Sequence, residues 1–254
     1  MRNLINEIKT MFWRCMMITL RTPGALVVSI GIPAILMCIF VFVFGGSMDV
    51  GDYNITNFLV PGVLVNVLVQ SSQSTGISVN QDMTTGIIGR FRSMEISSSS
   101  FLTGHVLAAF IKTIITTSVT IGVAFLIGFR PTANFTDWLV IVGLIALFIL
   151  GVTWFSVWLG VVMADAESVG GILALIAILV FLSPGMAPTE NMPRFLRYFA
   201  ENQPMAPFIN SMRSLMNGYE ISGNDLQLTL IWWVGILVAT FILTIRAYKK
   251  KLTV

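Results

Sequence analysis

The sequence predicts an all-α integral membrane protein with six transmembrane helices. An N-terminal interfacial amphipathic helix is expected before them, and short re-entrant helices on the outer side between spans five and six. Of the 254 residues, 56% are apolar and only 11% are charged, whereas soluble domains carry about 25% charged residues. The mean hydropathy is +0.86, more apolar surface than one soluble domain of this size can bury. A soluble enzyme, a nucleic-acid-binding protein and a disulfide scaffold are therefore all excluded, so no nucleic-acid partner is expected.

Six segments reach the length of about 20 mostly apolar residues that a membrane-spanning helix needs. They are residues 25–44, 58–79, 104–129, 138–163, 169–185 and 226–245. An even number of spans places both termini on one side, and most of the basic residues fall in segments on that side. Basic residues are enriched in cytoplasmic segments. The sequence thus predicts a multi-pass protein of the inner (cytoplasmic) membrane with both termini cytoplasmic.

Three segments outside these spans are predicted to have structure of their own. In residues 1–22, apolar side chains recur every three or four positions, which favours an amphipathic helix in the inner interface over a frayed polar tail. Residues 80–103 form a cytoplasmic segment too long for a turn, and residues 187–223 an external one. The external segment is predicted to hold two short helices separated by Gln203 and Pro204, because proline interrupts a helical pattern.

Motifs for chemistry within the chain are absent from the sequence. It contains no GxxxxGK[ST] phosphate-binding loop, and its one histidine, His105, cannot form a metal site alone, so we expect no catalytic residue and no metal. We expect His105 to cap or pack at the start of span three. No Asp or Glu lies inside a predicted span, which argues against a proton relay. Lys112, the one ionisable residue well within a span, is predicted to snorkel to the inner surface, with substrate contact as the alternative.

Two groups of residues are candidates for a substrate path. A polar set on one face of span two consists of Asn66, Gln70, Gln73 and Ser74, spaced at i, i+4, i+7 and i+8. Lipid cannot satisfy these groups, so they face a hydrated cavity or bind a neighbouring helix, and the sequence leaves both open. In span four, Phe148 and Phe155 are candidates for lining an apolar cavity, with packing in the core as the alternative.

Several blocks of the chain resemble one family of membrane proteins. They are NFLVPG at 57–62, GIIGRFRSMEIS at 86–97, SPGMAP at 183–188, MPRFLR at 192–197, ENQPMAP at 201–207 and the segment 213–218. Their order and spacing resemble the type 2 permeases of ABC exporters, in particular the daunorubicin-exporter branch. Glu95 departs from the pattern, since it stands where proline is common in the family.

The resemblance implies that residues 1–254 are one ABC-2 type transmembrane domain that moves an amphipathic, drug-like or lipid-like substrate out of the cell. The implied partners are a second permease copy, giving a homodimer, two copies of an ABC ATPase subunit, and membrane lipid. The chain itself would hold no cofactor, whereas ATP and Mg would bind the separate ATPase. A chain without a nucleotide site or a proton relay needs such an external motor.

By position, residues 80–92 correspond to the family's coupling helix. The expected ATPase contacts are Asp82, Thr85 and Gly86, while Arg90, Arg92 and Glu95 are expected to brace the segment against the N-terminal helix or lipid phosphates. Two other classes of function remain alternatives. One is an ion-driven secondary carrier or channel, and the other is a membrane-embedded sensor or immunity protein without transport.

Overall fold

The computed structural model describes residues 4–44, 54–85, 98–221 and 223–253, which are mostly helical and contain no strand. The helices are α1 Leu4–Leu20, α2 Pro23–Cys38, α3 Ile55–Thr84, α4 Ser98–Ile127, α5 Phe135–Val162, α6 Ala166–Phe181, α7 Arg194–Asn202, α8 Met205–Met216 and α9 Asp225–Thr253. A π-helical turn, Ile39–Phe44, continues α2, and a short 3₁₀ helix, Thr189–Asn191, precedes α7.

Polar side chains at the helix starts explain several of these boundaries. Asn134 and Asp137 form a reciprocal capping box at the start of α5, with two hydrogen bonds of 2.9 Å between side chain and backbone. Asp165 accepts a 2.7 Å hydrogen bond from the backbone N–H of Ser168 at the start of α6. Each cap binds backbone donors that have no partner within the helix. These caps fix where the chain re-enters a helix after each connection.

Within the described residues, four helices are long and apolar enough to cross a membrane: Ile55–Thr84, Ser100–Ile127, Phe135–Val162 and Asp225–Lys251. They coincide with predicted spans two, three, four and six. Predicted spans one and five lie on the shorter apolar helices Gly31–Val43 and Ala166–Phe181. The chain is therefore a multi-pass membrane protein whose described residues form helices and connecting turns.

Helix α3 is the central helix of the bundle. It packs against α2, α4, α5, α6 and α8, and most of its side chains are buried. Where α3 crosses α5, a Cβ on Gly76 would lie 2.7 Å from the carbonyl oxygen of Ser156, and a Cβ on Gly160 would overlap the carbonyl oxygen of Gly76. Small residues allow helix backbones to approach this closely inside a membrane. The crossing therefore fixes α3 and α5 as one rigid pair.

The N-terminal helix and the two short helices predicted after span five are present, whereas the coupling helix expected at residues 80–92 is described only to residue 85, and its residues 80–84 continue α3. Helix α1 packs along α4 and buries Met11 and Cys15, two residues of its predicted apolar face. On the other side, α7 and α8 are separated at Gln203 and Pro204, which confirms the predicted break. Helix α8 is almost wholly buried against α3, α5 and α9, so it forms part of the bundle and is not a surface element.

Candidate functional site

A cavity of about 420 Å³ lies between α1, α3 and α4; its wall has both polar and apolar side chains, and we call it the polar cavity. Three of the four polar residues predicted on span two, Gln70, Gln73 and Ser74, line it, together with Lys112 and His105 of α4. Its wall on α3 continues through Ser78 to Gln81, near the C-terminal end of that helix. The side chains that the sequence brings to one face of α3 thus meet the one cation predicted inside a span.

The polar set combines both roles that the sequence left open. Asn66 is 1% exposed and accepts a hydrogen bond from the side-chain amide of Gln70, so it lies in the helix packing and outside the cavity wall. Gln73 lines the cavity and also donates a 2.9 Å hydrogen bond to the carbonyl oxygen of Gly170 in α6. Gln73 therefore joins α3 to α6 and forms part of the cavity wall at the same time.

Lys112 does not extend toward the inner surface, so the predicted snorkelling is wrong. Its ammonium donates a 2.9 Å hydrogen bond to the carbonyl oxygen of Ser71 and a second one to the hydroxyl of Ser74, both in α3. The side chain therefore lies across the cavity at the depth of its own backbone, where it presents a positive charge among amides and hydroxyls.

Beside the cavity, toward the C-terminal end of α3, three ionisable side chains from three helices meet. Arg14 of α1 binds both carboxylate oxygens of Asp82 in α3, at 2.7 and 2.8 Å. Nε2 of His105 in α4 lies 3.0 Å from one of the same oxygens. The hydrogen bond to Asp82 raises the pKa of Arg14, which keeps the guanidinium charged. We call these three residues the inner cluster.

The inner cluster changes the interpretation of two residues singled out in the sequence. Asp82 was expected to contact an ATPase, but it is only 6% exposed and both its oxygens are bound within the chain. It ties α3 to α1 and α4, so an outward contact does not fit this burial. His105 was expected to cap or pack, and it does pack, while also joining the ionic contact.

The other predicted coupling residues divide into two groups. Thr85, the residue after α3, is exposed, and its hydroxyl donates a 2.7 Å hydrogen bond to the carbonyl oxygen of Gln81. Gly86, Arg90, Arg92 and Glu95 lie outside the described residues. The bracing expected of Arg90, Arg92 and Glu95 therefore stays a prediction, while Arg14 joins α1 to the end of α3 in the described part of the chain.

A second, apolar cavity of about 690 Å³ lies between α5, α6, α7 and α9, on the side of the short helices. Phe155 lines it, as the sequence suggested, together with Trp233 of α9 and the α7 aromatics Phe195 and Phe199. Sequence reasoning did not connect α7 with Phe155, although the aromatic face of α7 was visible in the sequence.

Phe148 does not line either of these two cavities. It is fully buried in the core, with its ring centroid 3.8 Å from that of Trp233 and 4.5 Å from that of Phe208. The core alternative therefore describes Phe148. Two phenylalanines on one helix differ because α8 and α9 cover the first and leave the second beside a cavity.

Comparisons with known proteins agree with the family that the sequence blocks resemble. Residues 6–217 match the ABC-2 type transporter family. The daunorubicin resistance ABC transporter permease protein DrrB1 of Streptomyces coeruleorubidus is 29% identical over 245 residues, which cover 95% of this chain and 86% of that protein. The probable doxorubicin resistance ABC transporter permease protein DrrC of Mycobacterium tuberculosis is 23% identical over 230 residues, covering 89% and 82% of the two chains.

Proposed function

The chain belongs to the ABC-2 type transporter family, and from this premise we propose that it is the membrane-spanning permease subunit of an ATP-driven exporter. The cargo is an amphipathic drug-like or lipid-like molecule. The observation that carries this proposal is the pair of cavities, one polar beside Lys112 and one apolar beside Phe155, at different places in a membrane-spanning bundle. Such a pair offers separate surroundings for the polar and apolar parts of one class of molecule.

In the proposed topology, the two shorter apolar helices complete six spans with cytoplasmic termini in the cell membrane. Helix α2 with its π-helical turn runs from Pro23 to Phe44, about 33 Å at 1.5 Å per residue, which is enough for the hydrocarbon core. Helix α6 is shorter and is continued by residues 182–186. In this topology, helices α7 and α8 enter the membrane from the outer side and lead back to the same side, as a re-entrant pair.

The proposed motor is a separate ABC ATPase, present in two copies and binding ATP and Mg, that acts on a dimer of permeases. It would contact the cytoplasmic segment that begins with the exposed end of α3, at Thr84 and Thr85. The inner cluster links this end of α3 to α1 and α4 through Arg14 and His105. A displacement of the segment would therefore move three walls of the polar cavity together.

Co-purification in a mild detergent tests the motor. We expect the tagged chain to retain a stoichiometric subunit with a phosphate-binding loop, and ATP hydrolysis by this complex to rise with an amphipathic cargo. A chain that is recovered alone, with no ATPase activity after crosslinking in the membrane, would instead favour an ion-driven carrier or a binding protein.

The contact point is tested by introducing one charge at the end of α3. Thr85→Arg should lower cargo-stimulated ATP hydrolysis or uncouple it from export, because a long charged side chain would stand in the proposed contact. Asn224→Arg, which places the same charge just before α9 on the proposed outer side, is the matched control. Equal export by both variants at equal expression would contradict the assignment of this contact.

A further inference from the structure

The positive charge of Lys112 is not balanced by any carboxylate within ion-pair distance in the described part of the chain. Asp82 is the acidic residue of the neighbouring inner cluster, and Arg14 already binds both its oxygens. The partners of Lys112 are a carbonyl and a hydroxyl oxygen, which solvate a cation but carry no net charge. Lys112 is therefore the lining cation without a carboxylate partner, whereas His105 lies 3.0 Å from Asp82.

The depth of Lys112 makes this charge unusual. It precedes Ile127, the last residue of α4, by about 22 Å at 1.5 Å per residue. The hydrocarbon core is about 30 Å thick, so the ammonium lies at hydrocarbon depth when Ile127 marks the outer boundary. Ionisable groups at this depth are costly and mark ligand or ion pathways, and buried charges are normally paired.

A buried hydroxyl in the same wall provides a second, independent observation. Ser71 lines the cavity, is 2% exposed, and its hydroxyl has no hydrogen-bond partner among the described residues. A hydroxyl proton is a suitable donor to an oxyanion, and it lies on the residue whose carbonyl accepts from Lys112. The cavity wall thus contains a cation and, on a residue that binds it, a buried hydroxyl without a partner.

We propose that the polar cavity binds the anionic head group of an amphipathic molecule, with a phosphate or carboxylate oxygen on the ammonium of Lys112. The hydroxyl of Ser71 would donate a second hydrogen bond, and the amides of Gln70 and Gln73 would border the head group. A cationic head group would be repelled at this position. Identifying the bound molecule as cargo rests on the proposed function, whereas the binding itself does not.

Binding of matched amphiphiles to the full chain tests this proposal. The chain is placed in phosphatidylcholine nanodiscs, and saturable binding of radiolabelled dodecyl phosphate and dodecylamine is measured after subtraction of binding to empty nanodiscs. We expect dodecyl phosphate to bind at least about tenfold more tightly than dodecylamine, because only the phosphate gains a charge-assisted hydrogen bond from Lys112.

Three variants locate the effect. Lys112→Gln should weaken dodecyl phosphate binding about tenfold, and Lys112→Arg should retain most of it. Lys251→Gln is the matched control, because it removes the same charge from an exposed side chain near the end of α9, and it should bind as the wild type does. Competition with labelled dodecyl phosphate separates the sources of the head group. If the ligand is lipid-like, phosphatidic acid in the nanodisc should displace the label. If the apolar chain contributes nothing, inorganic phosphate should displace it equally well.

Equal affinity for the two amphiphiles, or unchanged phosphate binding by Lys112→Gln, would overturn the proposal. So would the absence of saturable phosphate binding to the wild type, which is the result expected if a carboxylate of a second copy pairs with Lys112. Should Lys112→Gln fail to fold, the head-group preference of the wild type decides alone. A complex that hydrolyses ATP and exports only cationic amphiphiles would refute the identification of the bound anion as cargo and leave the proposed function intact.

Discussion

Replacing Arg14 with glutamine should loosen the N-terminal helix from the rest of the bundle. The change removes both guanidinium hydrogen bonds to Asp82, at 2.7 and 2.8 Å, while His105 keeps its contact at 3.0 Å. A carboxylate is then left nearly buried with one partner. Because Arg14 belongs to α1 and Asp82 to α3, the effect concentrates where these helices meet.

The magnitude follows from the exposure of the two side chains. Removing one partner of a fully buried ion pair costs about 3–5 kcal/mol, whereas exposed pairs contribute about 0.2–1 kcal/mol. The side chain of Arg14 is 28% exposed and that of Asp82 is 9% exposed, so water partly replaces the guanidinium. We expect Arg14→Gln to lower the free energy of unfolding by about 2 kcal/mol. The double variant with Asp82→Asn should lose less than the sum of the single variants, by about 1 kcal/mol.

Unfolding by sodium dodecyl sulfate in mixed micelles, followed by circular dichroism, measures these free energies. Arg21→Gln is the matched control, since it removes the same charge from the exposed end of the same region and should change the free energy by no more than about 0.5 kcal/mol. Maleimide labelling of the buried Cys15, in a Cys38→Ser background, should be faster in Arg14→Gln and unchanged in Arg21→Gln. Identical unfolding and labelling of the two variants would refute a structural role for the Arg14–Asp82 pair.

Three further predictions concern helix packing, pH and the two phenylalanines. Gly160→Ala should destabilise the chain by about 1–3 kcal/mol in the same unfolding assay, because its Cβ would overlap α3, whereas Gly143→Ala on the same helix meets nothing within 4 Å and should be neutral or stabilising. Hydrogen bonds from Arg197 and Thr189 lower the pKa of Glu201. The protection of α7 amides from hydrogen exchange should therefore be full above the ordinary glutamate pKa of about 4.3 and fall as the pH drops below it; protection that rises on acidification would contradict this sign. Phe148→Ala should cost about 3–5 kcal/mol of unfolding free energy, while Phe155→Ala should leave stability nearly unchanged and weaken binding of an apolar dye to the apolar cavity. Equal stability losses would contradict their different placement.

Local patterns in the sequence predicted most of the helices. Apolar runs of sufficient length gave the four long helices, and the break at Gln203 and Pro204 separated α7 from α8, because these signals act between neighbouring residues. The family resemblance was carried by the order of several blocks and is confirmed by the match over residues 6–217. The position of α8 inside the bundle could not be predicted, since burial of a short helix depends on which helices surround it.

The site was only partly predictable. The spacing of Gln70, Gln73 and Ser74 indicated a polar face. This face lines a cavity, which is one of the two alternatives that the sequence left open. The inner cluster gave no signal, because Arg14 and Asp82 are 68 positions apart and no periodicity relates them. Lys112 was assigned to snorkelling because it lies about two turns from the inner end of its predicted span, whereas the oxygens that bind it belong to α3, which the sequence of its own helix does not show.

Transport in reconstituted vesicles tests the central proposal most directly. The chain and its ATPase are reconstituted together, and accumulation of a fluorescent amphiphile is followed with ATP and Mg, without ATP, and with an ATPase variant that cannot hydrolyse ATP. We expect accumulation only when both subunits and hydrolysable ATP are present, since the chain supplies the cavities and the partner supplies the energy. Accumulation by the chain alone, driven by an ion gradient and indifferent to ATP, would contradict its assignment as the permease of an ATP-driven exporter.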